Sequence, residues 1–317
     1  MGGDFAPAVT VAGALAARRA GIEVLLVGDR ARIAAEAGGA DLPVVHAADA
    51  IGMAEDAALA VHQRRDASVR VAAALVARGE AAGLVSAGST GATLAAALLE
   101  VGRLRGVRRP VLAALLPLGG RKVVLADAGA SMDVQPESLR ECACMARAYA
   151  RALGVAEPVL GLLNVGAEAG KGNELRRSAG RLLGSIKGFV GNVEPAAALR
   201  GEVDAVVTDG FTGNVFLKTV EALATVPDDV PDSAAVLLGV AGVVLVAHGA
   251  ADAGEVAGAL RMASDVARGG LCDRIAAELS TPVDVDGIAD PGSGRPGGAG
   301  GVSALVTEAT WGREATW

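Results

Sequence analysis

Short, continuously apolar runs recur along the chain, and most of them end beside glycine, asparagine or aspartate. Apolar runs without polar alternation are typical of strands buried on both faces of a sheet. Alanine-rich segments with helical spacing separate them, which predicts βαβ units and a mostly parallel sheet. The predicted strands are Ile22–Val27, Gly83–Val85, Lys122–Ala126, Val159–Leu163, Phe189–Val190, Ala205–Thr208 and Val243–Val246.

The helical segments have recognisable starts and ends. The clearest begins at Pro136-Glu137 and stops before Gly154, which matches the usual preference for proline at the start and glycine at the end. The predicted helices are Pro7–Ala20, Asp66–Arg78, Thr90–Leu99, Pro136–Leu153, Glu174–Leu183 and Asp252–Val266. From residue 280 the periodicity stops. We therefore predict a folded domain over 1–279 and a disordered, Pro/Gly-rich tail over 280–317.

Composition limits both the core and the partners. Hydrophobic residues make up 52% of the chain but aromatic residues only 2%, so the core must consist mainly of alanine, valine and leucine. The net charge of −7 argues against a general nucleic-acid binder, which needs a basic surface. The longest apolar stretch, Ala234–Ala247, is too short to span a bilayer, and the amino terminus lacks a signal-peptide pattern. These features predict a cytoplasmic protein.

Cysteine and histidine give no sign of a metal site. Three cysteines are too few for a disulfide framework, and we expect them to be ordinary buried thiols. The three histidines show no zinc-ligand spacing. No zinc site is therefore expected. The residues concerned are Cys142, Cys144, Cys272, His46, His62 and His248.

Each of the seven predicted strands is followed by a polar, glycine-containing loop. In an open α/β sheet such loops line one crevice at the carboxyl ends of the strands, so we expect all seven to meet at one site. One of them, Ser86–Gly91, leaves a strand and opens a helix. Its hydroxyls and the amides of the helix start could hold an anion. The alternative is that these residues simply form turns.

Three other loops carry candidate catalytic side chains. Lys171 lies in a glycine-rich loop at a helix start and could bind phosphate, or it could be a solvated lysine. The amide of Asn214 in Asp209–Asn214 could stabilise an oxyanion. His248 could donate a proton or could be a hydrogen-bonded turn residue. A Gly-x-Ser-x-Gly elbow is absent, which disfavours an acyl-enzyme. The residue types suit a site that holds a phosphate and a carbonyl together.

Taken together and in their order, these motifs resemble the PlsX family, the acyl-carrier-protein:phosphate acyltransferases of bacterial phospholipid synthesis. The resemblance covers residues 1 to about 279. The motifs that carry it are Met1–Asp4, Ser86–Gly91, Asp127–Ala130, Lys171–Glu174, Gly191–Glu194, Asp209–Asn214 and Ala247–Gly249.

The resemblance implies a Rossmann-like α/β/α fold similar to the isocitrate and isopropylmalate dehydrogenases and the phosphotransacetylases. It implies a homodimer that uses neither a nicotinamide cofactor nor a metal. The reaction would convert acyl-carrier protein (ACP) carrying a fatty acyl group, and inorganic phosphate, into acyl phosphate and ACP. A membrane glycerol-phosphate acyltransferase would then use the acyl phosphate. The family also carries a short strand before the motif that starts at Met1, so the first strand is expected to be missing from this sequence.

The resemblance also assigns roles to residues. Lys171, Asn214 and His248 are the catalytic candidates. The substrate-binding candidates all lie in the motif loops: Gly3, Asp4, Ser86, Gly88, Ser89, Thr90, Gly91, Asp127, Gly129, Asn173, Glu174, Asn192, Glu194, Asp209, Thr212 and Gly213. Ser89 and Ser131 stand where the family usually has asparagine. Two alternatives remain open, which are a phosphotransacetylase-like enzyme that uses acyl-CoA and a non-catalytic paralogue that binds ACP or phosphate.

ACP is acidic, so docking on this acidic chain requires a local basic patch. The densest candidate patch is Arg103, Arg105, Arg108 and Arg109, and a second one is Arg176, Arg177 and Arg181.

Membrane contact is expected to be weak or peripheral. The helix after Lys218 is predicted to end near Val226. The residues that follow, 227–233, contain two prolines and three aspartates, which cannot form an amphipathic helix.

Overall fold

A computed structural model of the chain describes residues 2–223 and 234–280. These residues form two sheets. The smaller sheet pairs β1 (Leu26–Gly28) with β2 (Val44–His46) in parallel. The larger sheet has eight strands in the spatial order β3 (Gly83–Ser86), β10 (Val243–Ala247), β9 (Ala234–Leu238), β4 (Val111–Leu118), β5 (Arg121–Ala126), β8 (Ala205–Val207), β6 (Leu160–Leu163) and β7 (Phe189–Val193).

Helices cover both faces of the larger sheet. Alternate residues of β4 pack to opposite sides: Ala113 contacts the core that contains the central helix α6, and Leu112 contacts the core that contains α9. The predicted α/β fold is therefore confirmed. The helices are α1 (Ala8–Arg19), α2 (Arg30–Glu36), α3 (Ala57–Gln63), α4 (Ser68–Ala77), α5 (Thr90–Ala96, continued by a π-helical turn over Ala97–Val101), α6 (Pro136–Ala152), α7 (Glu174–Leu183), α8 (Pro195–Leu199), α9 (Gly210–Leu223), α10 (Ala253–Arg268) and α11 (Leu271–Ser280).

The larger sheet is mostly parallel within each half, but β3 and β10 at one end run opposite to β5, β8, β6 and β7 at the other end. Four of its seven neighbouring pairs are parallel. β3, β10 and β4 point one way, and the other five strands point the opposite way. A single row of paired residues nevertheless crosses all eight strands: Val85, Leu245, Val236, Ala113, Ala126, Val207, Leu162 and Asn192.

The strand directions contradict the expectation that all the motif loops lie at one edge of the sheet. β3 and β10 end just beyond the row on one side, whereas β5, β8, β6 and β7 end at the row or just beyond it on the other side. The loops after these two sets of strands therefore leave in opposite directions. β4 and β9 cause this reversal of strand direction because both run antiparallel to their neighbours.

The hairpin that joins β4 to β5 was not predicted, because β4 was absent from the predicted strands, although β5 was predicted over Lys122–Ala126. Its turn is Gly119-Gly120, with φ of +57° and +73°, a conformation that glycine adopts without strain. A glycine pair between apolar runs is a hairpin signal in the sequence, but β4 itself is almost wholly buried and does not alternate in polarity. β2, β9 and the helices α2, α3, α8 and α11 were also not predicted.

The core has the composition that the sequence requires. α6 begins with Pro136 at its first turn, has Glu137 beside it, and ends before Gly154, as predicted. Eleven of its residues are buried, and most of these are small, which lets the helix pack closely on the sheet. Cys142 and Cys144 lie among them, and burial raises the pKa of both thiols. These two cysteines are therefore the inert buried thiols that we expected.

Two expectations concern residues outside the described ranges. The disordered tail, apart from Ser280 at the end of α11, covers 281–317, and the non-amphipathic segment covers 227–233. Among the residues that the structure does describe, none belongs to a helix long and apolar enough to span a membrane.

Candidate active site

The motif loops form two groups. We call Gly2–Asp4, Ser86–Gly91 and His248-Gly249 the first loop group. The amide of Asp4 donates to the carbonyl of Gly249 at 2.8 Å. Gly2 lies so close to Gly88 that a Cβ on Gly2 would be 2.9 Å from the Gly88 Cα. Three motifs far apart in sequence are thus in direct backbone contact.

The hydroxyl groups of the Ser86–Gly91 loop hold the loop itself in shape. The Ser86 Oγ accepts from the Gly88 amide at 3.3 Å and from the Thr93 hydroxyl at 2.9 Å. Ser89 caps α5, because its Oγ accepts from the Ala92 amide at 3.3 Å. Serine in place of the usual asparagine therefore still provides a helix cap at this position.

His248 lies at the surface of the first loop group. Its Nδ1 accepts a hydrogen bond from the Ala250 amide at 3.4 Å. Asp4 is also exposed and lies beside Gly249.

We call residues 127–131, 164–174 and 209–214, with Asn192, the second loop group. Its centre is the buried carboxylate of Asp127. One oxygen of Asp127 accepts from the amides of Leu112, Gly129 and Ala130 at 2.9–3.0 Å, and the other accepts from the Ser131 amide at 2.7 Å. Burial raises the pKa of the Asp127 carboxyl, although all four donors favour the ionised form. Asp127 therefore fixes the shape of its own loop.

The start of α9 packs directly against the Asp127 loop. A Cβ on Gly213 would lie 1.9 Å from the Asp127 carbonyl oxygen, so only glycine fits there. The Asn214 Nδ2 donates to the carbonyl of Ala128 at 3.0 Å. An amide nitrogen carries two hydrogens, and one therefore remains available for a ligand.

A buried ion pair links α7 to the loop before α9. The Arg176 guanidinium pairs with the Asp209 carboxylate and donates to the hydroxyls of Thr208 and Thr212 at 3.2 and 3.0 Å. Burial alone would raise the pKa of Asp209, but hydrogen bonds from Thr212 and the pairing with Arg176 lower it below its usual value. Arg176 is only 9% exposed, so its assignment to a surface docking patch was wrong.

Lys171 lies at the rim of the second loop group. The side chain of Asn164 donates to the Lys171 carbonyl at 3.1 Å, and Asn192 donates to the Glu168 carbonyl at 2.8 Å. Both bonds hold the glycine-rich loop. The Lys171 Nζ is 4.0 Å from Glu168, and its side chain is 54% exposed, so this ion pair is weak. The ammonium group is thus available to an anion.

The two other residues of this motif have structural contacts. Asn173 caps α7 by accepting from the Arg176 amide at 3.0 Å. Glu174 accepts from Arg177 and from Ser178, which lowers the pKa of its exposed carboxyl. Glu194 is exposed at the start of α8.

An apolar cavity of about 840 Å³ opens beside the second loop group. Its polar end is formed by side chains of Asn164, Asn173, Arg176 and Thr212. Its apolar walls come mainly from α8 and α9 and include Leu163, Leu199, Val215, Phe216, Val220 and Leu223. A cavity of this size and polarity is typical of a small-molecule site.

The structure thus brings Lys171 and Asn214 into one group, with Asp127, Gly129, Asn173, Asp209, Thr212 and Gly213. It places His248 with Gly3, Asp4 and Ser86–Gly91 in the other. Within the described ranges no hydrogen bond or ion pair joins the two groups. Asn164 and Arg176 are site residues whose roles the sequence did not reveal, because both depend on contacts with distant segments.

All four arginines of the predicted docking patch are exposed, in the loop between α5 and β4. Arg108 pairs with the buried Glu141 at 2.6 Å, and its amide donates to the same carboxylate at 3.0 Å. Arg109 donates to the carbonyl of Asp133 at 3.4 Å. The loop is therefore anchored to α6 through one arginine while the patch stays accessible.

Solved structures of two enzyme classes share this fold. A phosphotransacetylase from Streptococcus pyogenes superposes with a TM-score of 0.60 at 17% identity, covering 86% of this chain and 91% of that chain. A 4-hydroxythreonine-4-phosphate dehydrogenase from Klebsiella pneumoniae gives a TM-score of 0.53 at 15% identity, covering 82% and 94%. At these identities the likeness defines the class of fold.

The sequence comparisons define the family. Residues 1–230 match the family described as "Fatty acid synthesis protein". A phosphate acyltransferase of Thermus thermophilus is 46% identical over 316 residues, covering 88% of this chain and 97% of the relative. One of Thermobifida fusca is 42% identical over 318 residues, covering 87% and 88%. The chain belongs to this family, the PlsX family that its motifs resemble, and it is an acyltransferase.

Proposed function

We propose that the chain transfers a fatty acyl group from ACP to inorganic phosphate and releases acyl phosphate. The observation that carries this proposal is the second loop group, where an accessible lysine and an asparagine amide lie next in sequence to Gly172 and Val215, which line an apolar cavity. The relatives named phosphate acyltransferase support the same reaction class.

Phosphate itself is the nucleophile in this reaction, so no serine or cysteine nucleophile is needed. A phosphate oxygen bonds to the thioester carbonyl carbon and forms a tetrahedral oxyanion. The oxyanion collapses, the carbon–sulfur bond breaks, and the thiolate takes a proton from water. The corresponding thiol has a pKa of about 8.5 by analogy with free cysteine, so the thiolate is a good leaving group without acid assistance. The enzyme's task is to position the two substrates and stabilise negative charge.

Lys171 and Asn214 perform that task in our proposal. The Lys171 ammonium binds phosphate or the developing oxyanion through a charge-assisted contact. The free N–H of Asn214 donates to the oxyanion, while its other hydrogen stays on Ala128 and keeps the amide in place. Asp127 holds the loop whose Ala128 carbonyl accepts from Asn214, and Arg176 holds Asp209 and Thr212 next to that asparagine.

The acyl chain occupies the apolar cavity between α8 and α9. Its volume of about 840 Å³ lies in the range of small-ligand pockets. In this proposal the thioester lies near Asn173 and Thr212, and the acyl chain runs along Val215 and Val220, all of which line the cavity. The first loop group, with His248 and Ser86–Gly91, contributes further binding contacts in this proposal.

The partners follow from the reaction. We propose ACP as the acyl donor, a homodimer as the working form, and a membrane glycerol-phosphate acyltransferase as the consumer of acyl phosphate. The enzyme would work in the cytoplasm with weak or peripheral membrane contact.

The decisive assay is phosphate-dependent loss of the acyl-ACP thioester by the purified full chain. We expect acyl phosphate to form in proportion to phosphate, with acyl-CoA used far more slowly. Faster use of acyl-CoA than of acyl-ACP would favour a phosphotransacetylase-like enzyme. No thioester loss with either donor, despite binding of ACP, would favour a non-catalytic paralogue.

Docking of ACP gives a separate prediction. Replacing Arg103, Arg105 and Arg109 together with glutamine, while keeping Arg108 and its pairing with the buried Glu141, should lower the association rate for acyl-ACP and reduce its dependence on salt. Turnover at saturating acyl-ACP should stay near that of the original chain. Stopped-flow binding at two ionic strengths measures the effect, with Arg200→Gln as an exposed control outside the patch. An unchanged association rate at low salt would place docking elsewhere.

A further inference from the structure

Asn164 connects the two parts of the second loop group that the proposed reaction uses. It follows β6 directly, and its backbone amide continues the pairing with β7 by donating to the Val193 carbonyl at 2.9 Å. Its side chain contacts the backbone of Lys171, and the residue also lines the apolar cavity beside α9. Asn164 is only 7% exposed. A polar side chain that is buried to this extent needs hydrogen-bond partners.

Two hydrogen bonds fix the orientation of the Asn164 side chain. Its Oδ1 accepts from the Val165 amide at 2.8 Å, and its Nδ2 donates to the Lys171 carbonyl at 3.1 Å. The first partner can only donate and the second can only accept, so they identify the oxygen and the nitrogen of the side chain. Gly172 lies close to the same group: a Cβ at this position, where φ is +86°, would be 2.5 Å from the Asn164 Oδ1. The side chain is therefore held in one orientation.

One hydrogen of the Asn164 side chain has no acceptor among the residues that the structure describes. Nδ2 carries two hydrogens, and the Lys171 carbonyl accepts one of them. An N–H group that is removed from water without an acceptor costs free energy. A ligand in the cavity that Asn164 lines could supply this acceptor.

The charges around the cavity indicate which ligand group this N–H would meet. Arg176 lines the polar end, but its guanidinium pairs with the Asp209 carboxylate, so the two charges cancel. Asn173 and Thr212, which also line this end, are neutral. The ammonium group of Lys171, in contrast, is exposed at the rim. The polar end of the cavity therefore suits an uncharged carbonyl, and the rim suits the phosphate anion.

We propose that Asn164 is a further catalytic residue, which donates its free N–H to the carbonyl oxygen of the thioester. This inference rests on the proposed function and adds a second amide donor to that of Asn214. The hydrogen bond strengthens as the carbonyl becomes the tetrahedral oxyanion, which lowers the barrier to reaction. The other N–H of the same side chain holds the backbone of Lys171. One side chain thus sets the position of the thioester relative to the phosphate-binding lysine.

The kinetic test compares Asn164→Asp with Asn192→Asp. Both substitutions keep the size of the side chain and release one tether of the same loop, because Asn192 donates to the Glu168 carbonyl at 2.8 Å. Both should therefore raise the KM for phosphate by similar factors. Only Asn164→Asp should also lower kcat at saturating phosphate, by about 10²-fold, the usual cost of losing a donor to the oxyanion. A fall in kcat no larger than that of Asn192→Asp would reduce Asn164 to a loop tether and overturn the assignment.

A spectroscopic test detects the hydrogen bond without turnover. Acyl-ACP with an isotopically labelled thioester carbonyl is bound to the full chain in the absence of phosphate, and the carbonyl stretch is recorded by difference infrared spectroscopy. A hydrogen bond to the carbonyl lowers its stretching frequency. We expect a lowered frequency with the original chain and with Asn192→Asp, and a return towards the value of free acyl-ACP with Asn164→Asp. The same frequency in both variants would contradict a contact between Asn164 and the carbonyl.

Folding and the proposed function are controlled separately. Gln63→Glu makes the same amide-to-carboxylate change at an exposed position of α3, and it should leave Tm and turnover unchanged. If Asn164→Asp does not fold, the smaller and neutral pair Asn164→Ser and Asn192→Ser replaces the aspartate variants in both tests, with the same expected results. Failure of the original chain to form acyl phosphate would refute the proposed function, whereas the role of Asn164 fails if its variant behaves like that of Asn192.

Discussion

Replacing Lys171 with alanine lowers the turnover of acyl-ACP with phosphate by about 10²–10³-fold in our expectation, the usual cost of removing one donor to a developing oxyanion. The fold should be unaffected, because the Lys171 side chain is 54% exposed and its contact with Glu168 is weak. The measurement is acyl phosphate formation at saturating substrates, together with Tm.

Two variants make this result specific. Lys187→Ala removes an exposed lysine that pairs with Glu157 at 3.0 Å, and it should leave turnover unchanged. Lys171→Arg keeps the charge and should recover part of the activity. Near-normal turnover of a well-folded Lys171→Ala protein would rule out Lys171 as the phosphate or oxyanion ligand.

Replacing Asp127 with alanine should have the largest effect on stability. Four backbone N–H groups lose their only described side-chain acceptor, and at least the Leu112 and Ser131 amides lie in buried residues. We expect the free energy of unfolding to fall by about 3 kcal/mol or more, because buried unsatisfied donors are costly. Chemical denaturation at neutral pH measures it.

The asparagine variant tests the cause. Asp127→Asn keeps the oxygen that serves Leu112, Gly129 and Ala130 and loses the acceptor for Ser131, so it should be less destabilising than alanine. Asp265→Ala removes a 62%-exposed carboxylate 4.0 Å from Arg268 and should cost under about 1 kcal/mol. If Asp127→Ala is no worse than this control, the carboxylate does not organise its loop.

Local signals in the sequence were sufficient for the elements that depend on local chemistry. α7 was predicted over Glu174–Leu183 and has these bounds, because Asn173 caps its first turn. α6 was also predicted from local signals, because proline lies at its start and glycine lies beyond its end. The polar residues that mark strand ends lie in the loops after β3, β5, β6, β8 and β10, but their convergence on one edge was not confirmed.

The remainder depends on contacts between distant segments. Strand direction in a buried sheet is not encoded in an apolar run, so the reversal by β4 and β9 could not be predicted from β3 or β5. The role of Arg176 was missed for a similar reason. On α7 it looks like one of several surface arginines, and only its pairing with Asp209, 33 residues further on, buries it.

β4 and β9, the two neighbouring antiparallel strands at the centre of the larger sheet, also determine how the halves of the protein depend on each other. The chain enters one half through β4 and leaves it through β9, and Val111 at the start of β4 pairs with Leu238 at the end of β9. That half is thus an insertion within the other, and its entry and exit strands lie side by side. Unfolding either half would leave β4 or β9 with one paired neighbour instead of two. The two halves are therefore coupled as one cooperative unit, although each surrounds its own group of loops.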